Sequence, residues 1–464
     1  MPGSRRNDRP DSAPAVQEAF ALTDDLLHSL RRALDDNSAA RIEALLDGLH
    51  SADVADLIHQ IGRERRKRLV ENLKSHLDPE ILSELDDGVR QAVVKQLGPA
   101  HIAAALAGLD TDDATEVLET LDQATQASVL TALDEDERTP IEEALAYPED
   151  SAGRLMQRDL VAIPDFWTIG QTIDFLREAT DLPDEFYEII VVDPSHHPIG
   201  TLPLYRAMRM KRPIVIGDIM DADPHLIPVL MDQEEVAYVF EQYNVPSAAV
   251  IDNTGRLLGV IMVDDVVDII LEEAEEDIMR LGGISESNLY DSVFETTRQR
   301  FPWLLVNLAT AVMASGVIAF FEATIEQIVA LAVLMPIVAS MGGNAGTQTL
   351  TITVRALATR DLTRANALRL LNKEFAVSIA NGFIFAVITG VVAWVWFGSQ
   401  DLGIVIFAAM VINIIVAGVA GMLIPLGLNR IGIDPALAAT VFVTTITDVL
   451  GFSAFLGLAA WFLL

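Results

Sequence analysis

The sequence predicts a multi-domain membrane protein: an all-α, solenoid-like N-terminal domain, an α+β tandem repeat, a linker helix and a five-helix transmembrane α domain. Three observations predict it. The 464 residues carry a net charge of −35 with half of the chain hydrophobic and no cysteine, a mixture foreign to one soluble domain. The charge is partitioned: residues 1–295 hold 24 basic and 60 acidic side chains, a net −36, whereas residues 296–464 hold 8 and 7. A strand, turn and strand also recurs with a fixed offset of 59 residues, and long apolar runs fill the last third. The expected boundaries are a disordered tail over 1–18, an acidic helical domain over 19–147, the tandem repeat over 148–268, an acidic linker over 269–298 and the membrane domain over 299–464.

So acidic a body repels nucleic acid and anionic headgroups and concentrates cations, which makes divalent cations its natural partner. Without cysteine there is no disulfide framework and no Cys-type zinc site. Met1 to Pro14 is polar and Pro-containing and lacks the apolar core of a signal peptide.

From Ala19 to Tyr147, Leu recurs at three- and four-residue spacing between Asp, Pro and Gly punctuation. Ser51, Asp78 and Thr111 stand where caps belong, and Pro79 and Pro99 stand at first turns, so the segment reads as a stack of short helices. Its carboxylates, Asp110, Asp112 and Asp113 among them, read first as a solvated face, with Asp112 and Asp113 kept as candidate metal ligands.

In the repeat, IIVVDPSHHPIGTLPL (Ile189 to Leu204) returns as AVIDNTGRLLGVIMV (Ala249 to Val263), matching Asp193 with Asp252 and Gly200 with Gly259. Each copy follows a Leu-Met or Ile-Met pair (Met156, Met220) and a helical segment (Ile169 to Ala179, Glu234 to Gln242). This pattern resembles a tandem pair of cystathionine-beta-synthase-type (CBS) domains. That family holds the ribose of an adenine nucleotide with a Thr or Ser and an Asp after a Gly. Here the second copy offers Gly259, Met262 and Asp265 without the hydroxyl, and the first offers Pro203 and Arg206, which argues against nucleotide binding.

Between Asp264 and Asp277 eight of fourteen residues are acidic, within a helical pattern marked by Val267, Ile270, Leu271 and Ile278. Like charges three and four apart cost about 0.2–0.5 kcal/mol per pair on a helix, so the run calls for counter-ions. Oxygen ligands without His or Cys select Mg²⁺, Ca²⁺ or Mn²⁺; the alternative is a solvated acidic helix. An amphipathic stretch from Asn288 to Arg300 then leads to five spans: Phe301–Phe321, Gln327–Val354, Phe375–Gln400, Leu402–Asn429 and the segment around Asp448. Basic residues flank alternate connections, which by the positive-inside rule places the acidic body in the cytoplasm and the C-terminus outside, in the simplest setting a bacterial plasma membrane.

Two features of these spans carry chemistry. Asp448 is one carboxylate at membrane depth, and at helical spacing Thr440, Thr444, Asp448, Gly451 and Phe455 share a face that reads as the lining of a water path. The alternative is a carboxylate satisfied by a neighbouring helix. In the second span Gly342, Gly343, Asn344 and Gly346 predict a helix break lining the pore, with a close-packing site as the other reading. Asp434 and Pro435 cap the fifth helix. An intramembrane aspartyl enzyme needs two carboxylates sharing a proton, and the five spans as drawn contain no second one.

In their order, PEDSAGRLM (Pro148 to Met156), VDDVVDIILEEAEEDIMRLGG (Val263 to Gly283), GGNAGTQ (Gly342 to Gln348) and GIDPALAATVFVTTITDVLGF (Gly432 to Phe452) make the chain resemble the MgtE family of magnesium transporters. The resemblance implies a homodimeric, Mg²⁺-selective channel with a pore of fifth helices and its aspartate at Asp448. It further implies that cytoplasmic Mg²⁺, bound by Asp265, Asp268, Glu273, Glu276 and Asp277, closes the gate. A proton-coupled transporter of Mg²⁺ or Co²⁺, and a sensor without transport, are the alternatives. Family members often carry an acid where this chain has Asn244.

Overall fold

The computed structural model describes residues 23–284 and 293–464, except positions 75, 181, 184, 185, 363 and 364 and the side chains of 295, 437 and 438. The tail expected over 1–18, the start of the stretch from Asn288, and Arg364 lie outside the described residues. The chain forms two compact units, Met1–Leu271 and Glu272–Leu464.

The first unit begins with a stack of short helices from α1 (Asp24–Asp35) to α10 (Glu135–Leu145), sharing one continuous core that includes Leu30, Leu57, Leu82, Val94, Leu106, Leu118 and Val129. Helices two or three apart in the chain pack together, as α3 (Ser51–Gln60) does on α5 (Glu80–Ser83) and α5 on α8 (Thr111–Glu119). That is the solenoid predicted from Leu spacing. Asp78 accepts from the Glu80 N–H at 3.3 Å at the start of α5, whereas the other two caps sit one residue earlier than expected. His50 caps α3, its Nδ1 accepting from the Ala52 N–H at 3.3 Å, which frees the Ser51 hydroxyl to donate to Glu80 Oε2 at 2.9 Å. Asp110, not Thr111, precedes α8. Pro99 does occupy a first turn.

After α11 (Ala152–Leu155), two three-stranded sheets repeat one topology: β1 (Ala162–Pro164), β2 (Glu188–Val192) and β3 (Pro198–Pro203), then β4 (Leu226–Pro228), β5 (Ser247–Ile251) and β6 (Leu257–Met262). In each the first pairing is parallel and the second antiparallel. The helices α12 (Ile169–Glu178) and α14 (Gln233–Tyr243) cross between first and second strands as the sequence predicts. Asp193 and Asp252 cap the hairpins, each carboxylate accepting from backbone N–H groups two and four residues on.

The Met segments are exchanged between copies. Met156, ahead of the first copy, lies in the core of the second sheet with Val250 and Ile261, and Met220 packs on the first. This exchange accounts for the matched glycines: a Cβ on Gly259 would meet the Gln157 carbonyl at 2.6 Å, and one on Gly200 the Asp221 carbonyl at 2.7 Å. Asn244 ends α14 in the left-handed region (φ 52°, ψ 47°), where Asn is among the favoured residues.

The linker helix α15 (Val263–Leu281) leads to the second unit. There α16 (Val293–Phe320), α18 (Ala330–Ala358), α19 (Ala367–Phe397), α20 (Gln400–Arg430) and α21 (Pro435–Phe462) are each long and apolar enough to cross a membrane, and α17 (Glu322–Gln327) is a short connection. α20 is the most enclosed, packing on α18, α19 and α21. Its inner residues include Gly403, Ala409, Asn413, Ala417, Gly418 and Gly421, small side chains that let backbones approach where no hydrophobic force drives helices together.

Two expectations about these helices are corrected. α18 runs unbroken through Gly342 to Gly346, because each glycine keeps helical geometry and the absent Cβ of Gly342 and of Gly346 serves contact with a neighbour. The third span also begins earlier than drawn, so Glu374 lies inside α19, 6% exposed, taking a hydrogen bond from the Thr349 hydroxyl at 3.4 Å. The bundle therefore encloses a carboxylate besides Asp448.

Candidate functional site

In the first unit the start of α8 meets the start of α15, and carboxylates converge. The carboxyl groups of Asp112 and Asp265 are close neighbours, and Gln157 Nε2 donates to Asp265 at 3.5 Å. Asp112 is buried, and its Oδ1 has no hydrogen-bond partner among the described residues. Burial first, then the charges of Asp265 and Asp113, drive the Asp112 pKa well above the carboxylate range. Burial, then Asp264 and Asp113, pushes Asp265 up to about 7. Asp113 is likewise pushed to about 7 by burial and by Glu116 and Asp110, opposed by Arg90. At the rim, Glu84 is raised by burial and by Asp268, and Asp268 by burial and Asp264.

The solvated-face reading of Asp112 and Asp113 is thereby overturned: helix packing turns the N-terminus of α8 inward, onto other acids. Arg90 does not neutralise the pair, because its guanidinium is spent on Glu116 at 2.6 Å and on the Ser83 carbonyl at 2.8 Å. Among the described residues no three acidic or His side chains are spaced as a ready metal cage. Such an arrangement suits Mg²⁺, which dehydrates reluctantly and is held by one or two carboxylates while keeping several waters. Sequence reasoning missed Glu84, whose place beside Asp268 depends on the stacking of α5.

The remaining linker acids form a separate group in the second unit. Arg280, at the end of α15, pairs with Glu276 one turn back and, through Nη1, donates to Asp434 Oδ2 at 2.6 Å. The other Asp434 oxygen caps α21, accepting from the Ala436 N–H at 2.7 Å. One turn into α21, the Thr440 hydroxyl donates to the Leu281 carbonyl at 3.2 Å, while Leu281 packs against Leu350, Ala436 and Val443. Burial, then Asp434 and Glu273, raises Asp277. The predicted ligands thus fall into two sets, Asp265 and Asp268 with the helical domain, and Glu273, Glu276 and Asp277 near the head of α21. Sequence reasoning gave Asp434 its capping role, which the structure bears out, but gave Arg280 none, although an Arg amid eight acids was the available signal.

Farther along α21 stands Asp448, part-exposed, with no ion pair among the described residues. The predicted stripe divides. Thr440 and Thr444 donate inward, Thr444 to the Thr440 carbonyl at 2.9 Å, leaving their lone pairs as acceptors. Gly451 and Phe455 turn into the bundle core, Phe455 fully buried. The α18 motif divides by helical periodicity too: Gly342 abuts the Asn413 amide and Gly346 abuts Val443, whereas a Cβ on Gly343 would meet open space and Asn344 is exposed, its amide 3.5 Å from the Ser340 hydroxyl. Asn413, fully buried, donates to the Val338 carbonyl at 2.8 Å, and its Oδ1 has no partner among the described residues. A buried acceptor left unmade costs about 1–3 kcal/mol.

Comparison with known proteins joins these parts. Family models match residues 49–150 (MgtE intracellular N domain), 216–272 (CBS domain) and 335–458 (MgtE, divalent cation transporter). The magnesium transporter MgtE of Bacillus subtilis is 28% identical over 95% of this chain and 98% of its own length. That of Thermus thermophilus is 34% identical over 68% of this chain and 71% of its own. The chain belongs to the MgtE family of magnesium transporters. A solved structure described as the cytosolic domain of the Mg²⁺ channel MgtE in complex with ATP is 29% identical, covers 52% of this chain and 99% of its own, and superposes with a TM-score of 0.45. Membership in the MgtE family makes this a membrane protein whose N-terminal and CBS domains are cytosolic, and transport, the work of the MgtE family, is not an enzyme class.

Proposed function

We propose that the protein is a homodimeric Mg²⁺ channel that imports Mg²⁺ and is closed by cytosolic Mg²⁺ bound to its acidic domains, with the C-terminus outside. The observation that carries this reading is the clamp on α21. The helix that holds Asp265 and Asp268 near its start ends in Arg280 and Leu281, which grip Asp434 and Thr440 on the helix bearing Asp448.

Each end has a physical role. Two Asp448 carboxylates brought to a twofold axis form a minimal acidic ring, attracting a hydrated divalent ion that Thr444 and backbone oxygens bind through water. Gly343 and Asn344, on the open side of α18, face the partner subunit or the path. At the cytosolic end, Mg²⁺ between Asp112 and Asp265, with Asp113, Asp268 and Glu84 around it, replaces the protons the crowded carboxylates would otherwise need. Mg²⁺ binds the packed state better than the separated one, so its loss releases α15, a two-state shift driven by differential affinity.

The test is rescue of a Mg²⁺-uptake-deficient bacterium by the wild type and by Asp448→Asn and Asp448→Ala. Removing the ring charge should lower uptake roughly a hundredfold or more, since each carboxylate contributes several kcal/mol toward a divalent ion at low effective dielectric. Equal rescue by all three would sink the pore assignment.

A further inference from the structure

We infer that Asn413 is a positioning residue for transport: its carboxamide, wedged between Gly342 and Gly451, sets the height of α21 against α18 and thereby places Asp448. The inference rests on the reading of Asp448 as the ion-path carboxylate.

Three observations point there. Asn413 is 0% exposed at the centre of the most enclosed helix, and its one hydrogen bond crosses to α18 at the Val338 carbonyl, four residues before Gly342, an acceptor the helix's own ladder already uses. The glycines on either side are fitted to it: a Cβ on Gly451 would lie 2.8 Å from its Nδ2 and 2.9 Å from its Oδ1, and one on Gly342 would overlap the amide nitrogen. Its Oδ1 remains a buried acceptor without a partner among the described residues, a cost that Leu at this position would not incur. Packing alone therefore does not account for an amide at this site.

Location gives the reason. Gly451 lies three residues beyond Asp448, about one turn along α21 and turned toward the core, so its contact sets the height of the turn that bears Asp448. A flat, hydrogen-bonded amide between two glycines allows one axial setting of α21, whereas an apolar side chain would tolerate sliding. The Gly346 contact with Val443 is a second crossing of α18 and α21, toward the Asp434 cap. Asn413 is the polar one of the two and the nearer in sequence to Asp448 through Gly451.

The experiment measures Mg²⁺ influx into proteoliposomes holding the full-length protein, as half-saturating Mg²⁺ and maximal flux, alongside its thermal stability in detergent. Asn413→Leu should leave stability at or above wild type yet raise half-saturating Mg²⁺ at least about tenfold, within the roughly hundredfold that an ångström-level misplacement can cost. Gly451→Ala should impair influx at least as much, through collision with the amide, and Asn413→Ala added to Gly451→Ala should recover most of the loss. An unchanged half-saturation in Asn413→Leu, or a double variant no better than Gly451→Ala, overturns the inference. If Asn413→Leu fails to reach the membrane, the double variant decides. Asp448→Asn in the same assay separates the two layers: wild-type influx there removes the Asp448 reading and this inference with it, whereas a dead Asp448→Asn beside normal Asn413 variants removes this inference alone.

Discussion

The two acidic centres solve the same electrostatic problem in opposite ways. Asp448 is a single carboxylate on a part-open helix face, with no ion pair among the described residues. Asp112, Asp113 and Asp265 are packed together with little room and more like charge than burial permits, so their pKa values rise. A lone acid on a part-open face attracts an ion that must leave again. Crowded acids hold one that must stay until its concentration falls. Conduction and sensing require that difference, and charge count alone does not supply it.

The sharpest way to break the comparison is to make the crowded centre neutral. Asp112→Asn with Asp265→Asn should remove most Mg²⁺ protection of α15 against proteolysis and leave uptake active at high cytosolic Mg²⁺, a shift of about tenfold or more in the closing concentration, while Asp448→Asn should leave that protection in place. Unchanged protection in the double variant would show that the sensing centre lies elsewhere.

A smaller effect is expected at the clamp. Arg280→Ala leaves Asp434 and Glu276 without their cation, a loss of about 1–3 kcal/mol for a charge-assisted hydrogen bond, and should uncouple Mg²⁺ occupancy from flux while Mg²⁺ binding to the first unit persists. Arg280→Asp paired with Asp434→Arg should restore part of the coupling; coupling undiminished in Arg280→Ala would mean that Leu281 and Thr440 suffice.

The smallest effect is one of pH. Groups whose folded pKa is raised support the packed state fully below their unfolded value of about 4 and lose that contribution as pH climbs through the folded value. For Asp113 and Asp265 the folded value is about 7. In chelator, protease protection of α15 should therefore be greater at pH 5.5 than at pH 8, added Mg²⁺ should restore it at pH 8, and the Asp112→Asn, Asp265→Asn variant should show a shallower profile, carried by Asp113. A profile equally steep in that variant would assign the titration to other groups.

Much of the architecture was legible because it is written in local periodicity. Leu spacing marked the stacked helices, the 59-residue offset marked the paired sheets, and uninterrupted apolar runs marked the spans. Caps slipped by one residue because His50 and Ser51 both offer a capping group, and only the reach of Ser51 to Glu80 chooses between them. Gly342 to Gly346 read as a break because glycine is compatible with irregular backbone and with close packing alike. The neighbours, Asn413 and Val443, come from distant parts of the chain.

The sequence by itself determined that an acidic cytosolic body joins a five-helix membrane domain through a charged helix, and that one aspartate stands deep in the last span. Those properties follow from composition and from repeats within a few turns or one strand. The tertiary structure alone decided which acids meet, that Asp112 is buried where a solvated face was expected, that Arg280 grips Asp434, and that Asn413 fills the space two glycines leave. Each of these joins residues tens to more than a hundred positions apart, brought together by packing, which periodicity does not encode.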